Sequence, residues 1–186
     1  MHLNDAISNR RSIKRFTPRE VTREEIESVL AAAIQAPNHK LSQPWRFYVL
    51  GPEARYAYGL ALGNRKARKI EDPQAAQAMR ETVANEHKAL PGMLVVAMVT
   101  SDNAELAEED YAATMMSVQN LSLAAVSLGL GTHIKTGAVM SDPAARASAG
   151  VPEGERIVAI VNIGEPADVP PAKTRVEAAA QTRWLP

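Results

Sequence analysis

Cysteine is absent from this chain of 186 residues. A disulfide scaffold, a cysteine-ligated zinc site and a thiol nucleophile are therefore excluded. Histidine is sparse. His2, His39, His87 and His133 are scattered, with no HExxH and no carboxylate cluster around them, so no protein metal site is expected. Net charge is missing too, because 21 Lys and Arg balance 21 Asp and Glu. That gives no support for nucleic-acid binding, which usually goes with a strongly basic surface, although the segment Arg10 to Arg19 is locally basic. No run of about 18 apolar residues occurs, so no membrane span is expected. The first residues carry charge and lack an apolar h-region, which argues against a secretory signal and for a cytoplasmic protein. Neither a GxSxG elbow nor a GxxxxGK[ST] phosphate loop is present. Gly129-Leu130-Gly131 lacks the third glycine of a dinucleotide fingerprint and follows a helical pattern rather than a strand. Repeats and low-complexity tracts are absent as well.

What is present suits one domain over residues 1–186 with a sizeable core, since 46% of the residues are hydrophobic. Leu3, Ala6 and Ile7 predict a short first helix. Thr22 and Glu25 form a capping box, with Val21 and Ile26 at the staple positions, and Ile26, Val29, Leu30, Ala33 and Ile34 continue as one apolar stripe that Pro37 ends. Phe47–Leu50 reads as a short strand. The stretch 53–90 is helical and polar with a break at Asp72-Pro73, a surface excursion or a lid. Met93–Val99 is a continuous apolar run of strand length, hence a central strand, and Ile157–Ile163 is a second. Tyr111–Leu128 is apolar on nearly all sides and predicts a helix buried on every face, stopped by Gly129 and Gly131. Ser141-Asp142-Pro143 starts another short helix. The tail from Ala167 has prolines and little periodicity, and is expected to wrap a partner subunit rather than fold on its own surface. Helices outnumber strands without regular alternation, so an α+β domain is expected.

Four segments suit an anionic, planar ligand. Arg10-Arg11-Ser12-Ile13-Lys14-Arg15 offers four cations and a hydroxyl; arginine forks match phosphate oxygens, although taken alone the segment is better read as a solvated basic turn at a helix end. Ala36-Pro37-Asn38-His39-Lys40-Leu41-Ser42-Gln43-Pro44-Trp45 is a polar loop between a helix and a strand. Gly131-Thr132-His133-Ile134-Lys135-Thr136-Gly137 reads as a glycine-bounded loop whose exposed amides face a ring system, or as a plain connection. Lys173-Thr174-Arg175 places late cations in a polar tail.

Together, in this order and with the Gly164-Glu165-Pro166 turn, these segments resemble the nitroreductase superfamily of flavoenzymes over nearly the whole chain, in its compact single-domain branch. The resemblance implies a central, mostly antiparallel sheet flanked by helices, and a homodimer with FMN at the subunit interface. Arg10 and Ser12 would bind the flavin phosphate and ribityl chain, with Arg11 adjacent. Lys14 would approach N1 and O2 of the ring, where positive charge favours reduction. Gln35, Pro37, Asn38 and His39 would reach the FMN held mainly by the other subunit. Ile134, Lys135, Thr136 and Gly137 would line the ring, and Arg175, with Lys173, would return to the phosphate. Leu41 departs from the asparagine of many larger relatives, and His39 would substitute for its hydrogen bond. The implied activity is ping-pong hydride transfer from NADH or NADPH to a small-molecule oxidant, a nitroaromatic or quinone. No protein nucleophile is needed. A flavin-consuming or dehalogenating enzyme, a flavin-binding sensor or storage protein without turnover, and an α+β domain without cofactor are the competing readings.

Overall fold

The computed structural model describes residues 1–186. The first helix, α1 (Leu3–Asn9), is followed by an extended segment and then by α2 (Arg23–Ala33). The α2 start is closed as its sequence requires: Glu25 N donates to Thr22 Oγ1 at 3.2 Å, and Thr22 N donates to Glu25 Oε2 at 2.9 Å. The chain continues through β1 (Trp45–Val49), α3 (Pro52–Ala67), α4 (Pro73–Lys88), β2 (Met93–Val99), α5 (Ala104–Ser127), β3 (Gly131–Lys135), α6 (Pro143–Ser148), β4 (Glu155–Gly164) and the single-turn α7 (Ala178–Gln181).

The four strands form one sheet in the order β1-β2-β4-β3, antiparallel throughout. The α+β class and the antiparallel sheet are as expected. β2 and β4 occupy the centre, which explains why Met93–Val99 reads as an unbroken apolar run and Ile157–Ile163 as one interrupted only by Asn162. β1 begins two residues before Phe47, because Trp45 pairs with Met98. The segment after α1 runs along the outer edge of β3: Ile13 N donates to Thr132 O at 2.9 Å, and Ser12 and Thr132 form a parallel bridge. Arg15 O accepts from Ala167 N at 3.1 Å, which fastens the start of the tail to the same edge.

Each face of the sheet has its own helical cover. Leu94, Val96, Ala159, Val161 and Ile163 meet Ile26, Val29 and Ala33 of α2 and Val118, Leu121 and Ala125 of α5. Met93, Val95, Ala97, Ile157 and Ile160 meet Tyr58 and Ala61 of α3 and Ala145 of α6. The 53–90 stretch is thus a helical hairpin that builds the second layer, broken where Asp72 caps α4. Its two helices meet closely at glycine. A Cβ on Gly59 would stand 2.7 Å from Ala84 Cα and 2.8 Å from Val83 O. Both are backbone atoms and cannot swing aside. Gly59→Ala would ordinarily favour a helix, but here overpacking reverses the sign. It is expected to cost about 1–3 kcal/mol, lowering Tm by roughly 3–10 °C in thermal unfolding. A raised Tm would show that the helices separate freely.

Three expectations are corrected. α5 starts at Ala104, seven residues before Tyr111, because Asn103 Oδ1 accepts from Leu106 N at 3.1 Å and caps an acidic first turn. Nor is α5 buried on every face: Ala112, Met116 and Gln119 are exposed along one side, since the sheet, α1 and α2 cover only the others. Gly131–Lys135 is a strand rather than a loop, because its backbone pairs with β4 from Gly164 to Ile160. The tail does meet its own chain in part: Arg15 Nε donates to Asp168 Oδ1 at 3.0 Å, while Val176, Trp184 and Leu185 stand exposed.

Candidate functional site

The edge segment beside β3 alternates. Ile13 is buried against Gly131, whereas Ser12 and Lys14 on either side of it are exposed and share the outward face. A glycine is needed at 131 because any Cβ there would collide with Ile13. That close approach fixes where Ser12 and Lys14 emerge. Arg10 closes α1, its N–H donating to Ala6 O at 3.0 Å. Arg11 turns back on the helix: Nη1 donates to Ser8 O at 2.7 Å and to Arg10 O at 2.9 Å. The solvated-turn reading therefore holds in part for Arg11, which satisfies helix-end carbonyls.

These residues line one cleft of about 1070 Å³, together with Gln119 of α5 and Lys173 and Arg175 of the tail. The fold thus joins the first and fourth sequence segments, 150 residues apart or more. Six cations and one carboxylate line the cleft, and the carboxylate, Asp168, is engaged by Arg15. Arg15 holds the Asp168 carboxyl below its ordinary range, by hydrogen bond first and by charge second. Arg10, Arg11, Lys14, Lys173 and Arg175 take part in no ion pair. Arg11 Nε is buried there without a partner. Such an array is complementary to a phosphate or another polyanion.

The β3 segment divides between the faces. Ile134 packs against the α2/α5 layer. Lys135 turns to the α3/α4 layer, where its Nζ lies 3.4 Å from His87 Nε2. His87 Nδ1 lies 2.7 Å from Val83 O and donates to it, leaving Nε2 as the acceptor. Burial, opposed by the Val83 contact and reinforced by the Lys135 charge, pulls His87 below its ordinary pKa. Burial and then Lys66 do the same to Lys135, and His133 is lowered by burial, Lys135 and Lys14. Thr136 and Gly137 follow, both exposed, with Gly137 at φ 129°. Only glycine adopts that backbone without strain, and it leaves the local amides open.

Gln35, Pro37, Asn38 and His39 do not line the cleft of their own chain. Their loop is pinned to the start of α5: His39 Nδ1 lies 2.7 Å from Glu109 Oε2, and Ser42 Oγ donates to Asp110 Oδ1 at 2.7 Å. Asn38 shapes it from within, accepting from Gln43 N at 2.9 Å and donating to Ala36 O at 3.2 Å. Lys40, Leu41 and Gln43 have φ of 50°, 54° and 42°. Three left-handed non-glycine residues in one loop carry strain that these hydrogen bonds must hold.

Sequence reasoning missed Lys66, His87 and Tyr58, which lie in the polar 53–90 stretch where no motif marks them. It also missed Asn162, buried on β4 opposite His133 with Oδ1 unpartnered. No cluster of metal-ligating side chains is present, and no helix is long and apolar enough to cross a membrane.

Comparison with known proteins identifies the family and the fold. The family model described as Nitroreductase family matches residues 7–165. YfhC of Bacillus subtilis, assigned as an NAD(P)H nitroreductase, is 31% identical over 176 residues, covering 93% of this chain and 89% of its own. Among solved structures, the nitroreductase-like family protein of Bacillus cereus superposes with a TM-score of 0.86 at 29% identity, over 100% of this chain and 96% of that one. The FMN- and NADPH-dependent nitroreductase NfnB of Sphigopyxis sp. strain HMH shares the fold, with a TM-score of 0.77 at 18% identity over 100% of both chains.

Proposed function

Since the chain belongs to the nitroreductase family, we propose that it is a cytoplasmic, homodimeric FMN-dependent oxidoreductase in which NADH or NADPH and then a nitroaromatic or quinone-like acceptor occupy one site in turn. The observation that carries this reading is the cleft with five cations free of ion pairs. Its residues fit FMN: the forked donors of Arg10 and Arg175 and the ammonium of Lys173 suit a phosphate, the Ser12 hydroxyl suits a ribityl oxygen, and the orphaned Arg11 Nε offers a further donor. When bound, FMN supplies the redox chemistry.

The protein's part is to bind and orient. Lys14 shares the face of Ser12 and would serve the ring end, away from Arg10. Ile134 would contribute an apolar wall, and the exposed backbone at Thr136 and Gly137 open amides, with Lys135 between them. Gln35, Pro37, Asn38 and His39 would complete the site of the second subunit, with the tail wrapped across the interface. The apolar residues left exposed on one chain support a dimer: Leu3 and Ile7 on α1, Met116 on α5, and Trp184 and Leu185 in the tail.

The test is the visible spectrum of the purified protein before and after anaerobic addition of NADH or NADPH. A yellow protein that bleaches, and regains its colour with a nitroaromatic or quinone, is expected. A protein that stays yellow is a flavin binder without turnover. A colourless protein whose thermal unfolding ignores added FMN would refute the assignment altogether.

A further inference from the structure

Lys135 is half-buried on the sheet face covered by α3, and no carboxylate lies within ion-pair distance of it. Its one side-chain partner is the neutral Nε2 of His87, a residue only 6% exposed. Among the charged groups acting on Lys135, Lys66 outweighs Glu86, so the surroundings are short of negative charge. A partly desolvated ammonium without a counter-ion gains when an anion arrives. Beside it opens a cavity of about 170 Å³ lined by Tyr58, Leu62, Lys135, Thr136, Val139 and Ile160. Leu62, Val139 and Ile160 give it apolar walls, while Lys135 and the hydroxyl-bearing Thr136 give it a polar side. Tyr58 remains a neutral phenol there, because burial pushes its pKa up to about 12. An apolar cavity of about 150 Å³ accommodates one benzene ring, so the space matches a single aromatic ring with an anionic substituent at its polar side.

We propose that this cavity recognises the electron acceptor and selects aromatic carboxylates, the carboxylate pairing with Lys135 and the ring lying against Leu62, Val139 and Ile160. The proposal deepens the redox reading above and rests on it for the identity of the ligand as acceptor. Neutral acceptors of the same shape leave Lys135 without its counter-ion and bind less well.

The experiment compares benzoate with benzamide by calorimetric titration into the full chain, and para-nitrobenzoate with para-nitrobenzamide in kcat/KM. Benzoate is expected to bind at least about tenfold tighter than benzamide, with a similar preference in kcat/KM. Lys135→Met should remove the preference and Lys135→Arg should retain most of it. Equal affinity of the wild-type chain for benzoate and benzamide overturns the proposal, whether or not Lys135→Met folds. So does a Lys135→Met protein that loses flavin while keeping the preference, because Lys135 would then serve the cofactor alone. The two readings fail separately. A protein that NADH and NADPH do not bleach contradicts the redox assignment, whereas the benzoate preference is measured without turnover.

Discussion

Arg10→Ala is expected to strip the protein of FMN, weakening its affinity by about ten- to a hundredfold. Arg10 lines the cleft without an ion-pair partner, so its guanidinium is free to grip a phosphate with two parallel hydrogen bonds. In an open, water-screened cleft the fork as a whole contributes about 1.5–3 kcal/mol, the range of one charge-assisted hydrogen bond, and about 1.4 kcal/mol is a factor of ten. Arg10→Lys keeps the charge and loses the fork, so it should fall between wild type and alanine. Arg11→Ala serves as the contrast. Its Nη1 is already committed to Ser8 O and Arg10 O, and its removal should loosen the end of α1 more than it weakens flavin binding. Fluorescence titration of the apoprotein with FMN checks the affinities, and circular dichroism checks the fold. Wild-type affinity in Arg10→Ala would move the phosphate away from this cleft.

That prediction was within reach of the sequence, because four cations in six residues carry their own chemistry. The same is true of the α2 start, where Thr22 and Glu25 are local signals, and of Met93–Val99, whose apolar run admits little except a central strand. β3 was hidden for the opposite reason. Gly131-Thr132-His133-Ile134-Lys135 has a glycine at its head and polar side chains within it, and only pairing with β4 makes it a strand. The local pattern lost to a tertiary one. α5 reads as uniformly apolar, yet Met116 is 42% exposed, because hydropathy records what a residue tolerates and not which neighbour covers it.

The site follows the same division. Phosphate-seeking groups are legible because they are charged and clustered in sequence. Lys66 and His87 are not, since each is one polar residue among many on an amphipathic helix, and their relation to Lys135 arises only when α3 and α4 fold over the sheet. The strain at Lys40, Leu41 and Gln43 is equally silent, because none of these residues announces a left-handed backbone.

The proposed dimer would account both for the exposed stripe on α5 and for the absence of Gln35, Pro37, Asn38 and His39 from the cleft of their own chain, and Met116→Glu tests it. Met116 and Gln119 are three residues apart, hence on one helix face, and Gln119 lines the cation-rich cleft. A partner covering Met116 would therefore also border the cleft. That is the position from which a partner's Gln35, Pro37, Asn38 and His39 could complete it, as they do not within their own chain. In a two-fold dimer every substitution enters twice. A carboxylate at 116 would be buried without a counter-ion in an apolar interface, at a cost of about 3–5 kcal/mol for each unpaired charge. Two such charges should raise dissociation of the dimer by about four orders of magnitude or more, a factor of ten for every 1.4 kcal/mol or so. The chain itself should stay folded, because a residue 42% exposed can turn a carboxylate to water once the partner has gone. Analytical ultracentrifugation is expected to find a monomer, and FMN titration is expected to find weakened binding although every cation of the cleft remains. A folded monomer that binds FMN as tightly as wild type would mean that one chain holds the cofactor alone, and a dimer that survives Met116→Glu would place the interface elsewhere.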